Sequence, residues 1–208
     1  MGHPELGGKT TLNRKVEQGA ATRREIVEAS MRLFAELGYG AVSIEAVLAA
    51  TGVSRGALYH HFAGKEALFE AAYEAMEADL MGRTTAATAE ASSPAEGLRT
   101  GCDAFLDLVQ EHAVRQIVLI DAPSVLGWEK WREIDERYGF GLLKSALAAA
   151  NTGGSLPDDL VDSYAHILMA ALTEVAMLTA RAEDRPAAVA LGKRSIQLLL
   201  ARLLGGSG

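Results

Sequence analysis

Arg55, Gly56, Tyr59 and His60 offer, in close succession, a guanidinium, a bare backbone, a phenol and an imidazole. At this spacing they share one side of an α-helix, because residues three and four apart are neighbours on a helical surface. Leu58 and Phe62, at i and i+4, take the opposite side and would face inward. Hydrogen-bond donors on an outward face, with a glycine permitting close approach, fit a DNA major groove. The elements that must hold this face can be read on its N-terminal side. Ser54 can cap the helix, since its hydroxyl accepts from one of the first free amides. Ser43 can cap a preceding helix in which Ile44, Val47 and Leu48 recur at helical spacing. Gly52 suits a left-handed exit from that helix, and Val53 supplies an apolar plug in the turn. Two short helices joined in this way form a helix-turn-helix. The same outline also occurs in all-α proteins that bind nothing, so the flanking segments matter.

Upstream runs Thr22-Arg-Arg-Glu-Ile-Val-Glu-Ala-Ser-Met-Arg-Leu-Phe-Ala-Glu-Leu-Gly-Tyr-Gly40, and downstream Gly64-Lys-Glu-Ala-Leu-Phe69. Between them stand a Gly-Val-Ser turn at 52–54 and Leu-Tyr-His-His-Phe at 58–62. Together these segments resemble the DNA-binding domain of the tetracycline-repressor (TetR) family of bacterial transcription regulators. The likeness runs from Thr22 to about Leu80; the rest of the chain resembles the family only in being helical. The resemblance implies a homodimeric, cytoplasmic repressor that binds a near-palindromic double-stranded DNA operator and is released by a small-molecule effector. A DNA-binding regulator whose body docks a protein partner is the alternative.

Resemblance and chemistry together nominate DNA contacts. Ser43 and Tyr59 can donate hydroxyls to phosphate oxygens, Ser54 caps the reading helix, and His60 can donate from its ring. Lys65 adds charge at a helix start, where free amides also favour an anion. Arg24 lies in the basic run. Arg55 is the candidate for reading a guanine edge, and Gly56 matters for what it lacks. The helix before the turn carries Glu45, Ala46, Ala49 and Ala50 and no basic residue, which puts phosphate contacts from it in doubt. His60 and His61 are adjacent and therefore point about 100° apart on a helix, too far for easy chelation of one ion. No cofactor or metal is expected.

The net charge of −7 argues at first against a nucleic-acid partner, but its distribution decides. Residues 1–65 hold eight Lys and Arg against six Glu, and the remainder holds twelve against twenty-one acidic residues. A weakly basic head on an acidic body suits binding by the head alone. Residues 1–20 carry four glycines and no apolar period, so a disordered basic arm is expected there. The first helix is predicted over Thr22–Leu37, with Ile26, Ala29, Leu33, Phe34 and Leu37 as its stripe and Gly38 as its exit. The domains are then 21–82 for the helix-turn-helix unit and 83–208 for a larger helical body. The whole is an all-α fold of about nine helices.

Hydrophobic residues make up 49% of the 208 and aromatics 6%, an Ala- and Leu-rich balance that favours helix. No membrane span or signal peptide is read from the sequence, so a bacterial cytoplasmic location without membrane partners is expected. The single Cys102 reads as a small buried residue. The body shows no phosphate loop, cysteine pair or metal-spaced histidines, and no enzyme is expected. Its carboxylates read as solvated helical faces. Helices are predicted over about 94–112, 114–121, 126–148, 158–182 and 186–204, with Pro123 breaking the apolar run between Ile117 and Trp131.

Candidate walls of an effector pocket are Phe105, Val109, His112, Trp128, Trp131 and Tyr138, with Met169, Leu172, Thr173 and Met177. They suggest a largely apolar effector. The last two helices carry more apolar surface than one body needs. Leu160, Tyr164, Ile167, Leu168, Ala171, Val175 and Leu178 lie on one, and Val189, Ile196, Leu199, Leu200 and Leu203 on the other. Two such helices from each of two subunits would make a four-helix dimer contact.

Overall fold

The computed structural model describes residues 7–205, and every regular element in that range is helical. The head comprises α1 (Gly7–Ala41), α2 (Ile44–Thr51) and α3 (Arg55–His61), which lead into α4 (Lys65–Ala87). The body adds α5 (Pro94–Leu108), α6 (112–125), α7 (127–150), α8 (Val161–Arg181) and α9 (Arg185–Leu203). The all-α architecture of about nine helices, with its N-terminal helix-turn-helix unit, is as expected.

The caps that the sequence nominates are in place. Ser43 accepts from Ala46 N at 3.1 Å and Ser54 from Ala57 N at 3.2 Å. Gly52 closes α2 at φ 70°, a left-handed backbone open to a residue without Cβ. Ile26, Phe34, Val47, Leu58, Phe62 and Leu68 are buried and form the head core. Phe34 meets the Phe69 ring edge-on at 5.1 Å between centroids, which joins α1 to α4. Leu37 departs from the expected stripe and is 54% exposed. Gly38, at φ 75°, interrupts the helix immediately after it, so the inward face ends at Phe34 and Ala35.

Three further expectations are corrected. From Gly7 onward the chain is helical as the first part of α1, where a disordered basic arm was expected over 1–20; residues 1–6 lie outside the described range. Extending an existing helix adds a hydrogen bond for each residue fixed, which tolerates glycine at a cost of about 1 kcal/mol apiece. Helix α4 continues to Ala87, so the expected boundary at 82 falls inside one rod. Pro123 does not break the apolar run: the chain stays helical over 112–125, with π-type turns from Arg115 to Asp121 just before the proline. Those wider turns take up the ring and the missing N–H, and the helix ends instead before Gly127 at φ 75°.

In the body, α8 and α9 pack closely at Gly192. A Cβ there would sit 2.5 Å from Val175 Cγ1. By length and composition the stretch Asp158–Arg181 would also suffice to cross a membrane (mean hydropathy 1.3), an apolar run that the sequence reading overlooked. It passes because its outer side is apolar as well as its inner one, Ile167 and Leu178 being 55% and 60% exposed.

Candidate DNA-reading face and internal cavity

Helix α3 presents Arg55, Gly56, Tyr59 and His60 to solvent while Leu58 points into the core. No atom stands within 4 Å of a Cβ built on Gly56, so the backbone there is open to close approach. Arg24, Ser43 and Ser54 are exposed on the same small domain. Arg55 is not free: its guanidinium donates to Glu45 Oε1 at 2.7 Å across the turn, and this pairing holds the Glu45 carboxyl below its ordinary range. The acidic residue that looked out of place on α2 is therefore the resting partner of the candidate base reader. Lys65 is half-buried, its Nζ 4.1 Å from the centre of the Tyr39 ring. The His60 and His61 rings meet edge to face, centroids 5.2 Å apart.

The body holds a cavity of about 250 Å³ between α4, α5, α6, α7 and α8, bordered at one side by the exposed Thr85, Pro94 and Ala149. Of the ten pocket residues nominated from sequence, Phe105, Trp131, Met169, Leu172 and Thr173 line it. The other five do not. Val109 is plain core, and Tyr138 and Met177 are partly buried and packed against that core. Trp128 is 66% exposed, and His112 sits outside at the start of α6, its Nδ1 3.3 Å from the Arg115 guanidinium.

Sequence reasoning missed the polar part of the lining. Glu77, Thr84 and Asp135 all border the cavity, and Glu77 and Thr84 are 2% and 7% exposed. Burial, with Asp135 opposite, pushes the Glu77 carboxyl up to about 8; burial raises Asp135 to about 6 against the pull of Arg132. Thr84 Oγ1, Trp131 Nε1 and Asp135 Oδ2 have no hydrogen-bond partner among the described residues, nor does the hydroxyl of Tyr73 beside Glu77. The signal was available, since Glu77 falls in register with Tyr73, Leu80 and Thr84 on the buried side of α4. Cys102, also in the wall, is buried, which pushes its thiol up to about 12.

The cavity and the head meet through α6. Val118 and Leu119 form part of the cavity wall. Asp121, two residues on, accepts the Tyr39 backbone N–H at 2.8 Å. That bond clamps the turn at Gly38, which leads into α2.

Residues 95–203 match the family model described as the tetracyclin repressor-like C-terminal domain, more than half of the chain, and residues 26–72 match that of the bacterial regulatory proteins of the tetR family. The chain belongs to the TetR family. This TetR-family chain is a DNA-binding transcription regulator with the family's head and body in order. It is similar to a TetR-family regulator of Pectobacterium atrosepticum of known structure (29% identity, TM-score 0.77), with 90% of this chain and 96% of that one covered. The head is 48% identical over 50 residues to a transcriptional repressor of Mycobacterium tuberculosis, a match spanning 24% of this chain and only 27% of that protein. The fold is also that of the regulator FadR from Bacillus subtilis, solved in complex with stearoyl-CoA (18% identity, TM-score 0.68, covering 86% and 97%).

Proposed function

We propose that this TetR-family regulator is a homodimeric repressor, released from a near-palindromic operator by a small, largely apolar molecule held in the body. The cavity carries this reading. A body that only docked a protein would have no use for a deep apolar cavity lined by buried polar groups without hydrogen bonds, each of which costs stability. The likeness in fold to FadR from Bacillus subtilis, solved in complex with stearoyl-CoA, supports this reading.

In this reading α3 enters the major groove. Arg55 exchanges Glu45 for a guanine edge, and Tyr59, His60, Ser43 and Lys65 hold phosphates, with Arg24 adding charge. Ser54 keeps the helix start capped, and Gly56 lets the backbone come close. Dimerisation uses the outward side of α8 and α9, where Leu160, Ile167, Leu178 and Leu199 are exposed and Tyr164, Ala171, Val175, Val189 and Leu203 are partly buried. The sequence nomination needs editing there. Leu168, Ile196 and Leu200 are buried inside their own chain, whereas Leu191 and Leu198, not nominated, are 66% and 56% exposed. A two-fold contact on this side sets the two recognition helices one DNA turn, or a multiple, apart. Binding of the effector against Val118 and Leu119 would act on Asp121 and so on the Gly38 turn.

The test is affinity for DNA fragments from around the protein's own gene at two salt concentrations, for wild type and Tyr59→Ala. Tight, salt-sensitive binding that the variant loses is the expected result. Absence of specific binding at either salt, with or without cell extract, would sink the reading.

A further inference from the structure

The two ends of the cavity differ. Along α4 its wall runs from Glu77 to Thr88, a length of about 16 Å at the rise of an α-helix. The Glu77 end also holds Asp135 and Trp131, while the Thr88 end is bordered by Gly97 and by the exposed Pro94 and Ala149. A molecule filling it has one polar end and a slender apolar remainder. Among the described lining residues there is no Lys, Arg or His. The cation that reaches Asp135 is Arg132, outside the wall, 3.7 Å away and shared with Glu136; Arg137 is held by Glu74 and Glu133.

This arrangement sorts ligands by charge. A carboxylate or phosphate would become one more anion beside two carboxyls, with no lining cation to receive it. A purely apolar molecule would leave the buried Glu77 carboxyl without a ligand contact and Asp135 Oδ2 with no hydrogen bond among the described residues, only its ion pair to Arg132. An ammonium group can donate to Glu77 and Asp135, with the Trp131 indole as aromatic surface for the charge.

We infer that the cavity takes an elongated lipophilic amine, its ammonium group seated between Glu77 and Asp135 and its apolar body lying along α4 toward Thr88. The inference rests on the effector reading above and names the effector's class. It carries a proton signature. Burial keeps Glu77 largely protonated at pH 7, so a seated ammonium draws that proton off into solvent. The groups that share this field are Tyr73 and Asp135, with Arg132 and Glu136 behind Asp135.

The experiment is calorimetric titration of the full chain with decylamine, decan-1-ol and decanoate, each in two buffers of different ionisation enthalpy. Decylamine is expected to bind at least about tenfold more tightly than decan-1-ol, as a charge-assisted contact warrants, with decanoate weakest. Its binding should release up to one proton. Glu77→Gln should remove both the preference and the proton release, and Asp135→Asn should reduce the preference; melting curves check that both variants fold. Equal or tighter binding of decan-1-ol or decanoate, no binding of decylamine, or a preference that survives both substitutions would overturn the inference. Operator release is read in parallel. Decylamine bound without release leaves this inference standing and overturns the effector reading. Release by decan-1-ol with no amine preference does the reverse.

Discussion

The head and the body place their functional groups on opposite sides of their own cores. In the head, α1 to α3 close on Phe34, Leu58 and Phe62, and every nominated DNA contact except half-buried Lys65 points outward. In the body the groups of interest face inward onto the cavity, where Glu77 and Thr84 are buried and the Thr84 hydroxyl has no hydrogen-bond partner among the described residues. A surface site can be altered without touching what holds the fold. An interior site cannot: its polar groups are desolvated at a cost that the rest of the body must offset. The head can therefore change its DNA contacts cheaply, whereas any change of ligand in the body is also a change of stability.

This contrast can be broken or sharpened by substitution. The largest effect is expected at the head core. Phe34→Ala should cost about 3–5 kcal/mol, since it opens a cavity among Phe69, Tyr39 and α1. Denaturant unfolding measures this, and an unchanged midpoint would mean that the head core is not where it has been placed.

Next comes the body's interior. Glu77 titrates near 8 when folded, against an ordinary value of 4.5, so its contribution is fully present below pH 4.5 and is lost as pH rises to about 8. Glu77→Gln should abolish that loss. The variant's advantage should grow by at most ~1.4 kcal/mol per pH unit across the window and then level off. Asp135, which stays in both proteins, contributes in the same direction up to about pH 6, and its coupling to Glu77 confines the clean comparison to the range above that pH. Parallel melting curves for the two proteins from pH 4.5 to 9 would show a cavity without an interior penalty.

On the head's surface, Arg55→Ala should leave the melting temperature nearly unchanged yet lose about 1–3 kcal/mol of discrimination at one base pair. Competition between operators altered at single positions reads this. A uniform loss across all sequences would make Arg55 a phosphate contact instead. The smallest effect belongs to its resting partner. Glu45→Gln removes an exposed, solvent-screened pair of the kind that contributes little, so operator affinity should rise by no more than about fivefold. A fall in affinity would mean that Glu45 positions Arg55 for DNA.

The same contrast explains what could be read from the sequence. The head was legible because its determinants are local. Ser43, Gly52 and Ser54 cap neighbouring helices, and Leu58 and Phe62 set the inward face within a single turn. The cavity joins residues from five helices, so no local spacing reports it. Aromatic and apolar residues at helical spacing found Phe105, Trp131 and Met169, but Trp128, one turn from the wall, looks identical in sequence and is exposed. Glu77 and Asp135 were missed because carboxylates on helices are usually solvated, and only the register of α4 with its buried neighbours marks Glu77 as an exception. Pro123 misled for a related reason: a π-type turn, which lets the helix continue, has no signature in composition.

Helix α4 is one uninterrupted rod that carries Lys65 of the head at its start and Glu77 of the cavity wall twelve residues on. That separation is about 18 Å along the axis. The rod is therefore a lever: a tilt of only ~5° about Glu77 carries Lys65 through about 1.6 Å. A displacement of that size is half the length of a hydrogen bond. It is enough to take a phosphate contact out of reach while barely disturbing the packing at the fulcrum.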